Sequence, residues 1–400
     1  MNVVIGNVQH PEFGVLTIPF PIPKQEYGRC MEMLGEIEIG SATEQDCKVL
    51  EINSAYETLR RLEKSLVNVD ELDTLAKLLD NFCDGEDDKF EAMGYLLDLH
   101  DIKDFINLAL CCNQTTVITD FKDLESVGKD HFLTLHSGTA SMQEYEKLDG
   151  AKLIKDLIAG GKGKLTPYGV VFDNDMKLEQ VYCGAVFPSC LYGHKLLDIV
   201  ISPPSGEPGA SFLQLPMPEE QLNRLLERGG FGENDEFPIS FGPEMPPKEV
   251  AAILNSPVFQ NATLYMVHDL NRMSAAIEGL SETDHAKLNA VVRFAVPKYP
   301  FQIQHLAEHL EDFEFVPGVK TNEEYGKYMI QESGQFNFDP DLEQWYDYRK
   351  YGDDHTAWRE GRFTEHGYVA YYGELSLDEL MMESSQEEKR EQCPQVGGMV

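Results

Sequence analysis

The stretch Glu71-Leu-Asp-Thr-Leu-Ala-Lys-Leu-Leu79 has a counterpart 198 residues further along the chain, Asp269-Leu-Asn-Arg-Met-Ser-Ala-Ala-Ile277. In both stretches small or apolar side chains recur at positions i, i+3, i+4 and i+7, which predicts one face of an amphipathic helix. The same shift superimposes the sequence on itself without a gap from about residue 71 to residue 171, and the matches cluster at glycines and apolar positions. A self-match of this length indicates an internal repeat.

Short apolar runs precede this helix in both copies. Val3-Val4-Ile5 matches Ile199-Val200-Ile201, and Pro21-Ile22-Pro23 matches Pro216-Met217-Pro218. Such runs, together with the alternating Glu36-Ile-Glu-Ile39 and the surrounding Pro and Gly residues, predict a small β-sheet. The predicted fold class is therefore α+β, with a small sheet followed by helices in each repeat.

The chain has 400 residues, which exceeds the size of about 250 to 300 residues at which a single hydrophobic core stops growing. Two or more domains are expected on that ground alone. We place the first unit at residues 1–196, the second unit at 197–382, and a flexible polar tail at 383–400.

The chain is strongly acidic, with 69 Asp and Glu against 33 Lys and Arg, a formal net charge of −36. The excess is spread along the chain: 34 acids and 18 bases precede residue 199, and 35 acids and 15 bases follow. Self-repulsion of this size lowers stability, and solubility needs a net charge of only about 2 to 8 for a small domain. The acidic surface itself is therefore the leading candidate for a functional feature.

Composition limits the other classes of protein. The sequence is 42% hydrophobic and 10% aromatic, unlike an acidic disordered tail. It has no apolar run of about 18 residues and no basic N-terminal segment followed by an apolar one. Its eight cysteines include no C-x-x-C pair. We expect a cytoplasmic protein with reduced thiols, no membrane partner, no structural metal and no cofactor.

One string suggests enzymatic chemistry. His305-Leu-Ala-Glu-His309 has the H-x-x-E-H spacing of inverted zinc peptidases. Two of its residues, Leu306 and Ala307, belong to the repeated apolar stripe, and the first repeat has Asn107 and Cys111 at the paired positions. A structural helix is therefore favoured, with a zinc metallopeptidase kept as a minor alternative and no catalytic residue assigned.

Several segments resemble the ArdA family of antirestriction proteins. The most specific is the aromatic run Tyr346-Asp-Tyr-Arg-Lys-Tyr-Gly352. The other matching segments are Asn2–Val8, Thr17–Ile22, Glu71-Leu-x-x-Leu75, Gly326–Tyr328, Glu332–Gly334 and Phe363–Val369.

The resemblance implies that each repeat is similar to one ArdA protomer. Such protomers are elongated α+β rods that pair through their C-terminal parts. They imitate bent B-form DNA and occupy the DNA-binding channel of type I restriction-modification enzymes. The first repeat departs from the family pattern, because Leu148, Gly150 and Leu153 stand where the second has Tyr346, Tyr348 and Tyr351.

The charge agrees in scale with DNA mimicry. Duplex DNA carries one charge per roughly 1.7 Å, so a charge of −36 corresponds to about 60 Å, or about 18 base pairs. Acids three or four residues apart on a helix lie about 5 to 6 Å apart. On this basis two charge rows are predicted, one of Asp98, Asp101 and Asp104 and another of Glu308, Glu311, Asp312 and Glu314. The predicted partner-binding acids are Asp98, Asp101, Asp104, Glu308, Glu311, Asp312, Glu323, Glu324, Asp339, Asp341, Glu343, Asp353 and Asp354.

The aromatic residues Trp345, Tyr346, Tyr348 and Tyr351 form a possible interface, although a place in the core is the simpler interpretation. The spacing of Trp345, Tyr348 and Tyr351 predicts one helical stripe. An aromatic stripe that pairs two chains would give a homodimer, whereas pairing of the two repeats would give an intramolecular pseudo-dimer.

The function predicted from the sequence is that of a non-enzymatic, DNA-mimicking antirestriction protein. Its partner would be the methyltransferase core of a type I restriction-modification enzyme, with no direct binding of nucleic acid. The alternative is an acidic DNA mimic that binds another DNA-binding protein or a nucleoid protein.

Overall fold

A computed structural model of the protein describes residues 1–136, 138–193, 195–242 and 246–382. The predicted tail at 383–400 lies outside the described residues. The structure confirms the α+β fold class, because many helices accompany four small sheets whose paired strands run antiparallel. No helix of the described residues is long and apolar enough to cross a membrane.

The first compact unit comprises residues 1–193 and also 205–212 and 218–231, apart from the undescribed residue. Its strands are β1 (Asn2–Asn7), β2 (Val15–Pro19), β3 (Cys47–Asn53), β4 (Leu66–Val67), β5 (Thr116–Ile118), β6 (Lys164–Thr166) and β7 (Gly169–Phe172). Its helices are α1 (Tyr27–Glu36), α2 (Val69–Asp80), α3 (Glu86–Leu96), α4 (Ile102–Cys111), α5 (Leu124–Leu135), α6 (Met142–Lys147), α7 (Gly150–Ala159) and α8 (Glu219–Arg228).

The second compact unit comprises residues 195–204, 213–217 and the described residues from 232 onward. The strands from residue 197 on are β8 (Leu197–Ile201), β9 (Ser211–Leu215), β10 (Phe237–Phe241), β11 (Asn261–Ala262), β12 (Phe313–Pro317), β13 (Arg362–Phe363) and β14 (Gly367–Tyr371). The remaining helices are α9 (Lys248–Leu254), α10 (Leu264–Glu278), α11 (Glu282–Ala295), α12 (Pro300–Glu308), α13 (Asn322–Gln331), α14 (Tyr348–Trp358) and α15 (Leu377–Leu380). Short 3-10 helices add Pro11–Phe13, Lys24–Glu26, Glu57–Leu62, Cys112–Gln114, Pro257–Gln260, Leu310–Asp312 and Pro340–Trp345.

The sheet topology occurs twice in the same form. The four-stranded sheets have the orders β2-β1-β3-β4 and β9-β8-β10-β11. The three-stranded sheets have the orders β5-β7-β6 and β12-β14-β13. In each copy the first strand of the sequence is therefore central in the larger sheet, and the last strand is central in the smaller sheet.

The apolar stripes of α2 and α10 both lie in a hydrophobic core. Leu72 and Leu75 on α2 are fully buried, as are Leu270 and Met273 on α10. Each helix also carries a polar side chain that binds the backbone of the preceding loop, and the two side chains lie 198 residues apart in the sequence. Asp73 accepts a hydrogen bond from the backbone N–H of Ile22 at 2.7 Å, and Asn271 accepts one from that of Met217 at 2.9 Å.

One predicted strand is wrong. The alternating Glu36-Ile-Glu-Ile39 segment is the end of α1 and the turn after it, and β3 begins only at Cys47. Glu38 and Gly40 both have left-handed backbone conformations, with φ of 56° and 96°. Ile37 and Ile39 are buried all the same, because a tight helix-ending turn can place two isoleucines against a core just as a strand can.

Candidate functional site

The predicted partner-binding acids lie largely on the surface. Eleven of the thirteen are exposed, and the two that are half-buried are Asp104 and Asp312. Exposure is a requirement for contact with a partner, and this requirement is met in both units.

The predicted helical row of Asp98, Asp101 and Asp104 does not exist as a row on one helix. Helix α4 begins at Ile102, and Asp101 is its N-cap, accepting a hydrogen bond from the backbone N–H of Lys103 at 2.8 Å. Asp98 has a left-handed backbone, with φ of 52°, and its carboxylate lies 3.4 Å from Arg61. Spacing alone cannot distinguish a helical row from a helix start, because Asp is favoured at both places.

The second predicted row also spans several elements. Glu308 is the last residue of α12, Glu311 and Asp312 lie in a 3-10 turn, and Glu314 lies on strand β12. Glu314 is engaged within the unit: it accepts a hydrogen bond from the hydroxyl of Tyr325 at 3.0 Å and forms an ion pair with Arg359. It is therefore not available as a surface charge.

Most of the candidate acids serve local structure. Nine of the thirteen cap a helix, accept a hydrogen bond from a side chain or form an ion pair within their own unit. These are Asp98, Asp101, Asp104, Glu308, Asp312, Glu324, Asp339, Glu343 and Asp353.

Four exposed acids remain, Glu311, Glu323, Asp341 and Asp354. Their carboxylates accept no hydrogen bond from, and form no ion pair with, any residue in the described part of the chain. We call them the open acids. All four belong to the second unit, so the sequence pattern alone, which ranked all thirteen equally, missed this distinction.

Some of the acidic excess is buried and contributes nothing to the surface. In the first unit the carboxylate of Asp70 forms an ion pair with the guanidinium of Arg224, with a nitrogen–oxygen distance of 2.8 Å. The carboxylate of Glu71 lies 3.7 Å from the guanidinium of Arg228. The Tyr182 hydroxyl donates to Glu71 at 2.9 Å. Buried charges persist only when they are paired and hydrogen-bonded, so these groups hold α8 against α2 within that unit.

The aromatic segment does not form one helical stripe. Trp345 ends a 3-10 helix, Tyr346 is extended, and α14 starts only at Tyr348 because Asp347 caps it by accepting from the N–H of Lys350 at 3.0 Å. Trp345 is 77% exposed, whereas the three tyrosines are half-buried.

The tyrosines are held by neighbours in the same unit. Tyr346 packs on Phe338 and on Tyr348, and the Tyr348 hydroxyl accepts a hydrogen bond from Gln331 at 2.7 Å. Tyr351 lies against Phe336, and burial raises the pKa of its hydroxyl. Trp345 is therefore the member of this segment that offers most of its surface to a partner.

Close contact between two helices positions this segment. The Cβ that a side chain would add at Gly326 on α13 would lie 1.9 Å from the backbone oxygen of Tyr348 on α14. The Cβ of a side chain at Gly352 would lie 1.8 Å from the backbone oxygen of Asn322. Because the clash is with backbone atoms, only glycine fits at these two positions.

Beneath these helices lies a polar core. The rings of Tyr325 and Tyr368 are 4.3 Å apart, and both are fully buried. Burial and the nearby charge of Glu314 raise the pKa of Tyr368 to about 12, so this hydroxyl stays neutral at physiological pH.

The H-x-x-E-H string does not form a metal site. His305 makes a 2.9 Å hydrogen bond between its Nδ1 and the backbone oxygen of Leu380, and His309 pairs with Asp312 at 3.3 Å. Among the described residues, a single group of three or more potential ligands has its atoms within 4.8 Å of one another, and it contains none of His305, Glu308 and His309.

The antirestriction protein (ArdA) family model matches residues 204–370. By this match, residues 204–370 form a segment of the ArdA type. Within these residues the match confirms the resemblance predicted from the sequence, and it contains both the Tyr346–Gly352 run and all four open acids. No curated protein matches the chain.

The matched ArdA segment begins before β9 and ends inside β14. It therefore contains the close contact between α13 and α14 and the aromatic segment. It also includes α8, the helix whose two arginines pair with Asp70 and Glu71. The matched segment thus includes the buried glycines and the aromatic side chains as well as the open acids.

Proposed function

We propose that this protein is a non-enzymatic antirestriction protein that mimics DNA. In this proposal its acidic surface occupies the DNA-binding channel of a cytoplasmic type I restriction-modification enzyme, at the methyltransferase core. The observation that carries the proposal is the combination, in one ArdA-family domain, of exposed carboxylates and four open acids that have no structural task in the described residues.

The physical argument rests on what a DNA-binding channel offers. Its Lys and Arg side chains are placed for phosphates, and carboxylates accept the same charge-assisted hydrogen bonds. An open acid can form such a bond without giving up a bond inside its own unit. The open acids are thus better mimics of phosphates than Asp101 or Asp339, whose carboxylates already cap helices.

We further propose that the chain is a tandem duplication with units near 1–196 and 197–382. The repeated sheet orders and the equivalent bonds of Asp73 and Asn271 support this proposal. Because the second unit alone has the aromatic segment, we propose that two chains pair through it to form a homodimer. Light scattering on the purified chain should then give twice the monomer mass of 45.2 kDa, and Trp345→Ala should reduce it to the monomer mass.

The direct test is restriction in cells. Unmodified phage DNA should escape restriction in a host with a type I enzyme when the protein is expressed, and the escape should vanish in a host that restricts with an unrelated small type II enzyme. Equal protection in both hosts, or protection in neither, would contradict the proposal.

A block of substitutions locates the surface. Removing four charges through Glu311→Gln, Glu323→Gln, Asp341→Asn and Asp354→Asn should weaken inhibition strongly, since each exposed ion pair contributes about 0 to 1 kcal/mol and the losses add. The matched control is a first-unit block of exposed acids with the same charge change, Glu32→Gln, Glu36→Gln, Glu51→Gln and Glu146→Gln. Equal losses from the two blocks would show that net charge, rather than the second unit's surface, drives binding.

Binding in solution separates the restriction enzyme from other DNA-binding partners. Affinity for a type I methyltransferase should fall steeply between about 50 and 200 mM salt, and duplex DNA should compete. A nucleoid protein bound more tightly than the methyltransferase at the same salt would favour the alternative partner. Binding that ignores both salt and duplex DNA would contradict mimicry altogether.

A further inference from the structure

Three potential metal ligands meet in the second unit at a place that the proposed function does not use. They are Glu249 on α9 and the adjacent Glu365 and His366 in the turn between β13 and β14. The Nε2 atom of His366 lies 3.1 Å from a carboxylate oxygen of Glu249 and 3.7 Å from one of Glu365. All three ligand atoms lie within 4.8 Å of one another.

The backbone on both sides of this group is fixed. The N–H of Glu249 donates a 2.9 Å hydrogen bond to the side-chain oxygen of Asn289. In the opposite turn the N–H of His366 donates to the hydroxyl of Thr364 at 3.2 Å, and its carbonyl accepts from the N–H of Gly318 at 2.9 Å. The ligands come from positions 117 residues apart, so tertiary structure and not a local turn brings them together.

The spacing suits a small divalent ion. Ligands at about 2.0 to 2.1 Å from a tetrahedral zinc ion lie about 3.3 Å from one another, and the measured separations of 3.1 and 3.7 Å lie on either side of that value. One imidazole with two carboxylates is a donor set suited to zinc or manganese.

Electrostatics favours a cation at the same point. Glu249 is buried, with 7% of its surface accessible, and a second carboxylate faces it. Two carboxylates at such distances repel each other. The charges of His366 and Arg293 both act on Glu249, but Arg293 forms no ion pair with either carboxylate among the described residues. A divalent ion would neutralise both carboxylates.

We propose that Glu249, Glu365 and His366 form a binding site for a divalent transition-metal ion, which ties helix α9 to the turn between β13 and β14. The ion would have a route in, because Glu365 is exposed at the surface. The site would belong to the second unit alone. The positions 198 residues earlier than Glu365 and His366 are Pro167 and Tyr168, which cannot supply a carboxylate and an imidazole.

The test is metal binding by the full-length chain, measured by equilibrium dialysis against ZnCl₂ and, separately, MnCl₂. Manganese serves as the second probe because thiolates, which the chain's cysteines could supply, select zinc. Excess MgCl₂ and about 0.15 M salt suppress weak binding to the acidic surface. We expect one equivalent of Zn²⁺ or Mn²⁺ that the excess Mg²⁺ does not displace.

Two variants and a matched control decide the assignment. His366→Ala and Glu249→Gln should each weaken binding by more than about tenfold, since even partners outside the ligand set change affinity by about 10- to 100-fold. His309→Ala removes a histidine that also lies beside a carboxylate, Asp312, but has no third ligand, so its binding should match that of the unaltered chain.

A structural readout guards against misfolded variants. Hydrogen exchange of the unaltered chain should slow on addition of Zn²⁺ in the peptides that contain 248–254 and 362–367, and not in those that contain 164–172. Unchanged affinity in His366→Ala, or exchange that ignores the ion, would overturn the proposal. The readout needs no restriction enzyme, so it is independent of the antirestriction proposal.

Discussion

The C-terminal parts of the two copies, residues 116–172 and 313–371, share a topology but not a core. Both have a three-stranded sheet with the last strand in the centre. The first has an apolar cluster of Ile118, Ile154 and Phe172 together with the buried pair of His131 and Thr116. The second has Tyr325 and Tyr368 in its apolar cluster, with the ion pair of Glu314 and Arg359 beside them. The two parts thus share a backbone arrangement but differ in the polar side chains inside it.

Glycines explain the close helix contact that both parts contain. A Cβ at Gly128 on α5 would lie 2.0 Å from the backbone oxygen of Gly150 on α7, as one at Gly326 would lie 1.9 Å from that of Tyr348. Both copies therefore need two helices whose backbones touch. Sites of backbone contact tolerate no side chain, while the core beside them accepts any set of the right volume.

The largest effect is expected at these glycines. Alanine is favoured over glycine within a helix by about 0.8 to 1 kcal/mol, yet Gly326→Ala and Gly128→Ala should each destabilise their own unit by about 3 kcal/mol, because the clash is with backbone atoms that cannot rotate away. Urea denaturation, monitored by hydrogen exchange of the α5 and α13 peptides, measures the loss of stability in each variant.

Gly279→Ala is the control for that pair, since its Cβ would meet no atom within 4 Å and its φ is ordinary. It should change stability little. A mild effect of Gly326→Ala beside a severe effect of Gly128→Ala would show that the two helix contacts are not equivalent.

The next largest effect is expected on acidification, which should lower the stability of residues 116–172 through a histidine that residues 313–371 lack at the equivalent position. His131 on α5 is buried and its Nδ1 lies 2.7 Å from the hydroxyl of Thr116; the residue 198 positions later is Met329. Burial lowers the pKa of His131 below the ordinary value of 6.5, so the unfolded chain takes up the proton first. Stability of the first part is full above pH 6.5 and falls below it, by at most about 1.4 kcal/mol per pH unit.

Hydrogen exchange of the α5 peptide between pH 7 and pH 5, corrected for the intrinsic rate, should show this loss. His131→Met, which copies the second unit, should remove the His131 contribution. A pH dependence that survives this substitution unchanged would assign the effect to another group.

Two hydroxyl deletions probe the polar core of the second part. Tyr325→Phe removes the hydrogen bond to Glu314 and should cost about 1 kcal/mol. Tyr368→Phe should be neutral or slightly stabilising, because its buried hydroxyl has no hydrogen-bond partner among the described residues. Thermal unfolding of the two single variants gives the comparison, and a larger loss for Tyr368→Phe would contradict it.

The smallest effect is expected at a single surface acid. Asp101→Asn keeps the helix cap, since Asn and Asp cap equally well, and removes one charge worth about 0 to 1 kcal/mol in binding. Inhibition should be nearly unchanged by Asp101→Asn and reduced a little more by Asp354→Asn, which alters an open acid. Loss of all inhibition from either change would indicate a specific site rather than a distributed surface.

Periodicity predicted the parts of the fold that rest on local pattern. The stripe of Leu72 and Leu75 predicts a buried helix face, and the structure confirms it, because burial of one helical side leaves a 3.6-residue period in the sequence. The start of α11 was also predictable, since Ser281 accepts the N–H of Asp284 as an N-cap should. The alternation at Glu36–Ile39 wrongly predicted a strand, because a helix end followed by left-handed residues can bury alternate side chains as a strand does.

The candidate site was less predictable than the fold. Sequence indicated acids and aromatics by residue type, but their partners come from distant positions. Glu314 forms an ion pair with Arg359, which is 45 residues away in the sequence. Glu249 is hydrogen-bonded to His366, which is 117 residues away. No spacing rule contains these pairs, so sequence could not separate the open acids from acids already in use.

Composition and periodicity are properties of the chain, so the sequence was enough to predict the α+β class, the acidic charge and the internal repeat pattern. Its motifs were enough to indicate the resemblance to the ArdA family. Only the tertiary structure decided which carboxylates are buried, which cap helices and which remain open. The reason is physical: a carboxylate carries the same charge wherever it lies, but its task depends on the donor that the fold brings within about 3 Å of it.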